Sequence, residues 1–486
     1  MTAPVVVVGA GPTGLMLAAE LGLAGVRCVV LERSAAVEPH AFGMGIHARA
    51  VDAFRERGLD KRLGLDEAIV WPRIHFAQFW LNLSELNETE YTLVMPQWRT
   101  EQMLAARAEE LGADIRRGHE LRAIEQDGDG VTVTVHTADG EYRLRAGYLV
   151  GCDGGGSLVR ELAEIHAPQH GPSYYGVLGD VRPAPGTQLD FSSGLKPTGL
   201  YGALPLGPDT FRLMAIEFDP AVTPPDGPVT EDELGAAVER MTGRRPELGE
   251  ITWLARYSGW TRLAENYRAG RVFLAGDAAH EHFFAATHGL STGIHDALNL
   301  GWKLAAQVNG WAPDGLLDSY HAERHPVGAR ACLNSRAQTA LTYPLDEVGP
   351  LRELFGEIVG FESVNRFVMQ MITTVRYPFE SASPAHPLLG GRLPHVELDA
   401  EGGPLATADT LRGGRGVLFH FGTEPLPWLE EWPGRVDVVT AKQHSTMDAE
   451  AVLVRPDGHV AYAGDVADLR PALAAWFGEP VPVSVA

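Results

Sequence analysis

Apolar and polar positions change their spacing several times along the chain, and each change predicts a different element. Residues 5–8 are four consecutive valines, a continuous apolar run typical of a strand buried on both faces of a parallel sheet. Helical spacing follows over 15–23, and a second apolar run at 26–31 predicts another strand. The chain is therefore predicted to begin with a βαβ unit.

The middle of the chain alternates between helical and strand-like spacing. Helices are predicted over 48–57 and 99–111 and through much of 301–375. Residues 113–150 alternate between apolar and polar positions, which predicts a β-meander containing 131–135, 142–144 and 148–150. Residues 72–97 are predicted to be irregular, and 171–260 mix short strand-like runs with proline and glycine turns.

A proline-rich stretch, 381–394, predicts a domain boundary. Beyond it, apolar runs at 416–421, 436–440 and 451–455 predict strands, and 456–458 predicts a hairpin turn. Helical spacing returns over 467–477. The tail is thus predicted to be a separate small α/β domain.

The chain has 486 residues and a formal net charge of −23 at pH 7. Nucleic acids and anionic membranes need a basic surface, so the charge argues against both as partners. Four valines are also too few to span a bilayer. Three cysteines lie far apart without a CxxC pair or metal-ligand spacing, so we expect a cytoplasmic protein with no metal site.

The first valine run leads directly into Gly9-x-Gly11-x-x-Gly14, which opens the first helix. In a dinucleotide site, such glycines permit a tight turn, close approach of the pyrophosphate and close helix–strand packing. Glu32 ends the next strand, where an acid accepts the adenosine ribose hydroxyls and repels a 2′-phosphate. The pattern predicts FAD or NAD rather than NADP at this turn.

Two later segments each place an acid beside a glycine after an apolar run. Residues 148–150 precede Asp153 and Gly154, and 271–275 precede Gly276 and Asp277. An acid at a strand end can hold a ribose or ribityl hydroxyl. The glycine-rich helix start at 289–293 offers free backbone N–H groups to an anionic or electron-rich ligand.

In this order, the three motifs resemble the class A flavoprotein monooxygenases, the para-hydroxybenzoate hydroxylase-like family, over nearly the whole chain. The resemblance implies a mixed α/β fold with a Rossmann-like FAD-binding domain (1–71, 98–170 and 270–310) and an inserted β-rich substrate-binding domain (72–97 and 171–269). The resemblance also implies a helical connector (311–385) and a thioredoxin-like C-terminal domain (386–486).

The resemblance also implies a cofactor, FAD, with NAD(P)H as cosubstrate. The ADP half is expected at the first glycine motif, the ribityl chain at Asp277, and the flavin pyrimidine at the backbone N–H groups of Leu290 and Ser291. The residues expected to contact FAD are Gly9, Gly11, Gly14, Glu32, Arg33, Gln102, Asp153, Asp277, Leu290 and Ser291.

The chain departs from the family pattern around the flavin. The usual Arg-Ala pair reads Phe42-Gly43, and Gly156 replaces an arginine of the second motif. The usual Pro-Pro is Phe283-Phe284, and Gly-Gly-Gln-Gly is 286–289, Ala-Thr-His-Gly. These bulkier residues are expected to restrict flavin movement and oxygen access.

His288 is the candidate catalytic residue. One interpretation is a proton donor or hydrogen-bond partner beside the flavin, since imidazole titrates near neutral pH; the other is a buried histidine that fills the glutamine space. A substrate pocket is expected over the flavin, although for any one of its residues ordinary core packing is the more frequent explanation. The candidates are Phe79, Trp80, Tyr201, Met214, Trp253, Trp260, Phe283 and Phe284.

Two reactions fit the resemblance. The first, favoured by its frequency in the family, is NAD(P)H- and O2-dependent hydroxylation of a bulky aromatic or polyketide in bacterial secondary metabolism, through a C4a-hydroperoxyflavin. The second is a non-redox (4+2) cyclisation that forms a dialkyldecalin, as in spirotetramate and spirotetronate pathways, with flavin in a structural role. A flavin-binding protein without activity has no feature in its favour. The expected partner is a bulky small molecule, and the expected state is a monomer or homodimer.

Overall fold

The structure is a computed structural model. It describes residues 3–37, 43–64, 68–86, 89–171, 174–184, 186–187, 189, 193–218, 226–283, 289–379, 386–422 and 424–481.

The helices are spread along the whole chain. They are α1 (Pro12–Leu23), α2 (Ala48–Glu56), α3 (Asp60–Leu63), α4 (Gln97–Glu110), α5 (Leu158–Leu162), α6 (Glu231–Thr242), α7 (Gly289–Val308), α8 (Asp318–Ala340), α9 (Leu345–Val359), α10 (Glu362–Thr373) and α11 (Leu469–Phe477).

The strands of the first half are β1 (Val5–Val8), β2 (Cys28–Glu32), β3 (Gly45–His47), β4 (Ile69–Trp71), β5 (Arg73–Phe76), β6 (Phe79–Asn82), β7 (Thr92–Val94), β8 (Asp114–Arg117), β9 (Glu120–Gln126), β10 (Val131–Thr137), β11 (Gly140–Ala146), β12 (Tyr148–Gly151), β13 (Gln169–His170), β14 (Tyr175–Arg182), β15 (Gly194–Lys196), β16 (Gly199–Pro205) and β17 (Phe211–Glu217). Those of the second half are β18 (Glu250–Ser258), β19 (Thr261–Leu263), β20 (Arg268–Ala269), β21 (Val272–Leu274), β22 (His280–Glu281), β23 (Glu397–Ala400), β24 (Gly403–Ala406), β25 (Gly416–His420), β26 (Val436–Thr440), β27 (Ala451–Val454) and β28 (Val460–Gly464).

The largest sheet runs in the order β20-β21-β12-β1-β2-β8. β1 pairs in parallel with β2 and with β12, so that Val5 lies opposite both Cys28 and Tyr148. β12 pairs in parallel with β21. Because these strands are parallel, the turns that follow β1, β12 and β21, which carry the three motifs, meet at one edge of the sheet.

The predicted meander is wrong at both ends. Its three antiparallel strands are β9, β10 and β11 only. β8 instead pairs with β2, and β12 lies in the parallel sheet. Leu149 and Val150 are fully buried, and a continuous apolar strand of this kind is stable where both faces of the sheet are covered.

The prediction of irregular structure over 72–97 is also wrong. β5 and β6 form a hairpin, and β7 pairs with β3 and β4. The hairpin turns at Ala77 and Gln78, which both have positive φ angles (49° and 68°) without being glycine. Since the usual glycine and asparagine signal of a hairpin is absent here, the pattern did not reveal the turn.

A second sheet, in the order β15-β16-β17-β14-β18, is antiparallel throughout. One face packs on α6, where Val177, Leu213, Leu234 and Val238 form a core. The other face turns toward the end of β22 through Leu200, Ile216, Phe218 and Phe283. This second face therefore borders the region where the motif turns meet.

The C-terminal region contains a mixed sheet in the order β26-β25-β27-β28. β25 is parallel to β26 and antiparallel to β27. One face packs on α11 through Leu453, Leu473 and Phe477. The predicted strands and final helix of the tail are confirmed.

Candidate functional site

The turn between β1 and α1 is built from the three glycines of the first motif. Gly9 has a φ of 103°, and a Cβ atom there would lie 2.3 Å from the carbonyl oxygen of Cys152. A Cβ atom on Gly14 would lie 2.0 Å from the carbonyl oxygen of Gly9. Among the described atoms, none lies within 4 Å of the Cβ position of Gly11. Packing thus requires Gly9 and Gly14, whereas Gly11 leaves open space at the start of α1.

Glu32 is held at the end of β2 by backbone hydrogen bonds. Its carboxylate accepts the N–H groups of Ala10 and Ser34, each at 2.8 Å. Arg33, next to it, is exposed, as is Gln102 on α4. Glu101 interacts electrostatically with Glu32, so the segment that carries Gln102 lies at the same end of the sheet.

Asp153, after β12, organises its own loop. Its carboxylate accepts the Ser157 hydroxyl at 2.5 Å and the Val159 N–H at 3.0 Å. Ser157 in turn accepts the N–H of Arg160 and caps α5. Asp153 therefore anchors the start of this short helix.

Arg160 joins the second motif to the third. Its guanidinium donates to the carbonyl oxygens of Gly155 at 2.7 Å and Ala278 at 2.8 Å. Arg262 donates to the same Gly155 oxygen at 2.9 Å. Two guanidinium groups therefore hold the loop that contains Gly156.

Thr13, inside the first motif, packs between two glycines of the third. Its hydroxyl oxygen lies 2.7 Å from a Cβ position on Gly276 and 2.2 Å from one on Gly293. Only glycine allows α7 and the turn after β21 to approach α1 so closely. The first and third motifs are thus in direct contact.

Two carboxyl groups near α7, those of Asp277 and Asp296, have pKa values shifted in opposite directions. The Asp277 side chain is exposed. Its pKa is nevertheless raised, first because the surrounding protein desolvates the carboxylate and also because the negative charge of Asp296 lies nearby. Asp296 is fully buried, which opposes ionisation, but Arg324 and His280 lower its pKa to about 2.

α7 begins beside Asp277. The Cβ position of Gly289 lies 3.5 Å from Asp277 Oδ1. Leu290 is half-buried, and Ser291 accepts the His47 N–H on its hydroxyl at 3.1 Å. The first backbone N–H groups of a helix have no acceptor within the helix and carry partial positive charge. Asp277 and these N–H groups therefore border the same space.

The donor set fits a flavin dinucleotide. The open Gly11 position and the start of α1 suit a pyrophosphate, and the Glu32 carboxylate retains lone pairs for ribose hydroxyls. Asp277 and the start of α7 suit a polyol chain and an electron-rich carbonyl. His288 and Phe284, with the departures at 42 and at 286–287, lie outside the described residues.

Phe283 and Met214 lie on the site-facing side of the antiparallel sheet. Phe283 is 5% exposed, with its ring 4.5 Å from that of Tyr174 and 6.1 Å from that of Phe218. Met214 is half-buried opposite Gly202. Side chains alternate between sheet faces, and Tyr201 packs on the α6 side, 1% exposed. The structure therefore does not bring Tyr201 to Phe283.

The other predicted pocket residues pack against different neighbours from those of Phe283. Phe79 packs against Phe355 of α9 (ring centroids 5.2 Å apart), and Trp80 is 53% exposed beside Trp71. Arg262 lies over the ring of Trp260 at 5.2 Å, beside the loop of the second motif, and Arg212 lies over Trp253 at 4.7 Å.

Sequence reasoning missed Thr13, Asp296 and Arg324. Arg324 donates to Asp296 at 2.6 Å and to the carbonyl oxygen of Thr292 at 3.1 Å. The available signal was an aspartate within an apolar helical run, since a buried acid needs a partner. In the described part of the chain, no group of three or more His, Cys, Asp or Glu side chains has the geometry to hold a metal ion.

Comparison with known families decides the identity of the site. A model described as the FAD binding domain matches residues 2–335, and one described as aromatic-ring hydroxylase, C-terminal, matches 386–480. The chain belongs to the FAD-binding aromatic-ring hydroxylases. The predicted resemblance to the class A flavoprotein monooxygenases is confirmed, and with it the mixed α/β fold.

Relatives within this family carry out different reactions. A dialkyldecalin synthase from Streptomyces rugosporus is 42% identical over 98% of this chain and 99% of its own length. A rifampicin monooxygenase from Streptomyces venezuelae is also 42% identical, over 98% of both chains. The OxyS anhydrotetracycline hydroxylase from Streptomyces rimosus is 40% identical, with a TM-score of 0.89 over 99% of this chain and 100% of that one.

These relatives are enzymes, and this member of the family is an enzyme too. The two predicted reactions, hydroxylation and cyclisation, both occur among them, and equal identity to the synthase and the rifampicin monooxygenase does not separate the two. No helix in the described ranges is long and apolar enough to cross a membrane.

Proposed function

We propose that this flavoprotein is an NAD(P)H- and O2-dependent hydroxylase of a bulky aromatic or polyketide substrate in bacterial secondary metabolism. The observation that carries the proposal is the convergence of Gly11, Asp277 and the first turn of α7 at one edge of the parallel sheet. The monooxygenases acting on rifampicin and anhydrotetracycline support the reaction class.

Bound FAD would supply the redox chemistry and the activation of oxygen. The chain itself binds and orients. Gly9, Gly11 and Gly14 let the α1 N-terminus approach the pyrophosphate, and Glu32 accepts the adenosine ribose hydroxyls. The remaining ADP contacts are Arg33 and Gln102, with Asp153 holding the second loop.

At the flavin end, Asp277 would accept hydrogen bonds from hydroxyl groups of the ribityl chain. The N–H groups of Leu290 and Ser291 would donate to the pyrimidine carbonyl and stabilise negative charge there. The His47 backbone N–H donates a hydrogen bond to the Ser291 hydroxyl. This bond fixes the first turn of α7, and with it the direction of the Ser291 N–H.

The substrate would bind beside FAD, against the antiparallel sheet. Phe283 and Met214 form part of its apolar wall, and Trp260 lies at the border with the second-motif loop. Phe284 remains a sequence-based candidate, whereas the packing of Tyr201 on α6, of Phe79 on Phe355 and the exposure of Trp80 leave these three out of the proposed wall. His288 is proposed as the proton donor, which a His288→Gln variant tests by the pH dependence of turnover.

The predicted domain division is kept as part of the proposal. It assigns 1–71, 98–170 and 270–310 to FAD, 72–97 and 171–269 to substrate, 311–385 to a helical connector and 386–486 to the C-terminal domain. The nicotinamide cosubstrate, a cytoplasmic location, a monomeric or homodimeric state and the absence of nucleic-acid partners belong to it as well.

A second candidate is non-redox cyclisation of a flexible polyene, with FAD in a structural role. The 42% identity to a dialkyldecalin synthase favours it, as does the packing of Phe283 in an aromatic cluster beside the site. Such a pocket accelerates an intramolecular reaction by holding the substrate in a reactive conformer.

The test follows the flavin absorbance after NADH or NADPH is added to the purified protein with aromatic polyketide or linear polyene substrates. Flavin bleaching and oxygen uptake triggered by an aromatic polyketide, with a hydroxylated product, support the hydroxylase. Failure of the flavin to be reduced under any condition, together with anaerobic cyclisation of a polyene, excludes the hydroxylase and supports the cyclase.

A further inference from the structure

A buried network of charged side chains connects the C-terminal region to α7. Asp457, in the turn between β27 and β28, accepts the Asn299 amide of α7 at 3.0 Å. Arg455, at the same turn, donates to both carboxylate oxygens of Glu323 on α8 at 2.7 and 2.8 Å, and to Asp457. Glu323 also contacts Lys303 of α7 at 2.9 Å.

The network continues to the flavin end of α7. The Tyr377 hydroxyl accepts from Asn299 at 3.4 Å and from Arg324 at 3.2 Å. Arg324 in turn holds Asp296, which accepts the Gly276 N–H at 2.9 Å and lies 2.6 Å from His280 Nε2. A continuous path of hydrogen bonds thus joins the β27–β28 turn to the glycine beside Asp277.

The members of the network are removed from solvent and balanced in charge. Arg455, Asp457, Asn299, Lys303, Arg324 and Asp296 are each at most 1% exposed, and Glu323 is 7% exposed. Three cations face three carboxylates. Leaving one of these charges without its partner inside a protein is strongly unfavourable, so the whole network selects one arrangement of its helices.

The network contacts α7 along one face and in its first turn. Asp296, Asn299 and Lys303 are spaced three and four residues apart, so they occupy one face of the helix. Arg324 also binds the Thr292 carbonyl in the first turn. The network therefore sets how far α7 extends toward Asp277 and how the helix is rotated.

We propose that Arg455 and Asp457 are positioning residues for the flavin, and that the C-terminal region completes the FAD site through them. Neither residue touches the cofactor space; both act through Glu323, Asn299 and α7. The inference rests on FAD binding, which hydroxylation and cyclisation share, so its test does not depend on which reaction the enzyme performs.

The test compares Arg455→Met and Asp457→Asn with Arg435→Met in the full-length protein. Arg435 also lies in the C-terminal region and donates to the Phe477 and Glu479 carbonyl oxygens at 2.8 and 2.9 Å, without contact to the network. For each protein, FAD affinity is measured by flavin fluorescence well below the melting temperature. The visible circular dichroism of the flavin is recorded at saturating FAD.

We expect Arg455→Met and Asp457→Asn to raise the Kd for FAD at least ten-fold and to change the flavin dichroism, while Arg435→Met lowers only the melting temperature. Arg455→Lys should restore part of the affinity, since it keeps the charge and loses the bidentate geometry. If Arg455→Met does not fold, the FAD affinity and the flavin dichroism of the near-isosteric Asp457→Asn variant test the proposal instead. Wild-type Kd and dichroism in a folded Asp457→Asn variant would overturn the proposal.

Discussion

The ring of Phe283 lies 4.5 Å from the ring of Tyr174, in a cluster that closes the gap between β22 and the antiparallel sheet. The Phe283 N–H donates to Ser335 at 2.8 Å, so backbone and side chain are both fixed. The family resemblance implies proline at this position, and the phenylalanine ring is bulkier than the residue it implies. Phe283 therefore links the end of β22 to the antiparallel sheet, beside the region where the motif turns meet.

Replacing Phe283 by alanine should leave a cavity between the sheets. Truncating a buried phenylalanine costs about 3–5 kcal/mol of unfolding free energy, because apolar burial and packing are both lost. Urea unfolding of the FAD-bound protein measures the effect. The control is Trp80→Ala, whose side chain is 53% exposed and whose loss should cost about 0.5 kcal/mol or less. Equal losses in the two variants would contradict the packing role of Phe283.

Gly11 and Gly14 should respond differently to alanine. At Gly11 a Cβ meets no described atom within 4 Å, and φ is −76°, so the apoprotein should keep its melting temperature. The methyl group would occupy the proposed pyrophosphate space, and the Kd for FAD should rise at least ten-fold. At Gly14 the Cβ would lie 2.0 Å from the Gly9 carbonyl oxygen, so that variant should lose apoprotein stability as well.

Thermal unfolding of the apoproteins measures the effect of each variant on stability, and titration with FAD, followed by fluorescence, measures its effect on cofactor affinity. Gly402→Ala is the control, because its Cβ position is also open and it lies in the β23–β24 turn, outside the three motifs. A Gly11→Ala protein that binds FAD like the wild type would show that the pyrophosphate does not lie at this turn.

The first turn of the site was predictable because its chemistry is local. Gly9, Gly11, Gly14 and Glu32 lie in one strand–helix–strand unit, and the structure places them as the spacing indicates. The glycine-rich segment 289–293, predicted to lead into a helix, likewise lies in α7. Short sequence separation is what makes such geometry readable from a single sequence.

Contacts between distant segments were not predictable in this way. Tyr201 sits in an alternating strand, and period-two spacing does not say which face meets α6 and which meets the site. Likewise, Pro456, Asp457 and Gly458 were predicted only as a turn, although Asp457 reaches Asn299 of α7. Such pairings depend on how sheets and helices stack, which side-chain periodicity alone does not determine.

The ion pair between Asp180 and Arg212 should be essential to the antiparallel sheet. Arg212 donates to both carboxylate oxygens at 2.7 and 2.8 Å across β14 and β17, and both side chains are at most 5% exposed. Arg212→Met removes the cation from a buried carboxylate and should lower the unfolding free energy by about 3–5 kcal/mol.

The double variant Asp180→Leu with Arg212→Met should recover much of that loss, because it removes both charges from the apolar interior. Urea unfolding of the wild type, Asp180→Leu, Arg212→Met and the double variant gives the coupling energy. Additive losses in the double variant would mean that the two side chains stabilise the sheet independently, contrary to this prediction.

His395 should make stability depend on pH between 6.5 and 9. Its ring lies 3.0 Å from Glu56 Oε1 and 3.4 Å from Asp52 Oδ1, joining the C-terminal region to α2. Burial opposes the charged ring, but hydrogen bonds to Asp52 and Glu56 raise its pKa from 6.5 to about 9. Since the folded pKa is raised, this stabilisation is complete below pH 6.5 and is lost as pH rises through 9.

The expected loss is roughly 2–3 kcal/mol, allowing for the partial exposure of the ring. Lys303 acts in the opposite direction, because burial lowers its pKa from 10.5 to about 8, so stability rises between those values. The measurement is therefore the difference in unfolding free energy between wild type and His395→Asn at pH 6, 7, 8 and 9, in which the contribution of Lys303 cancels. That difference should shrink steadily with pH, and a constant difference would mean that the ring does not carry the charge that binds Glu56.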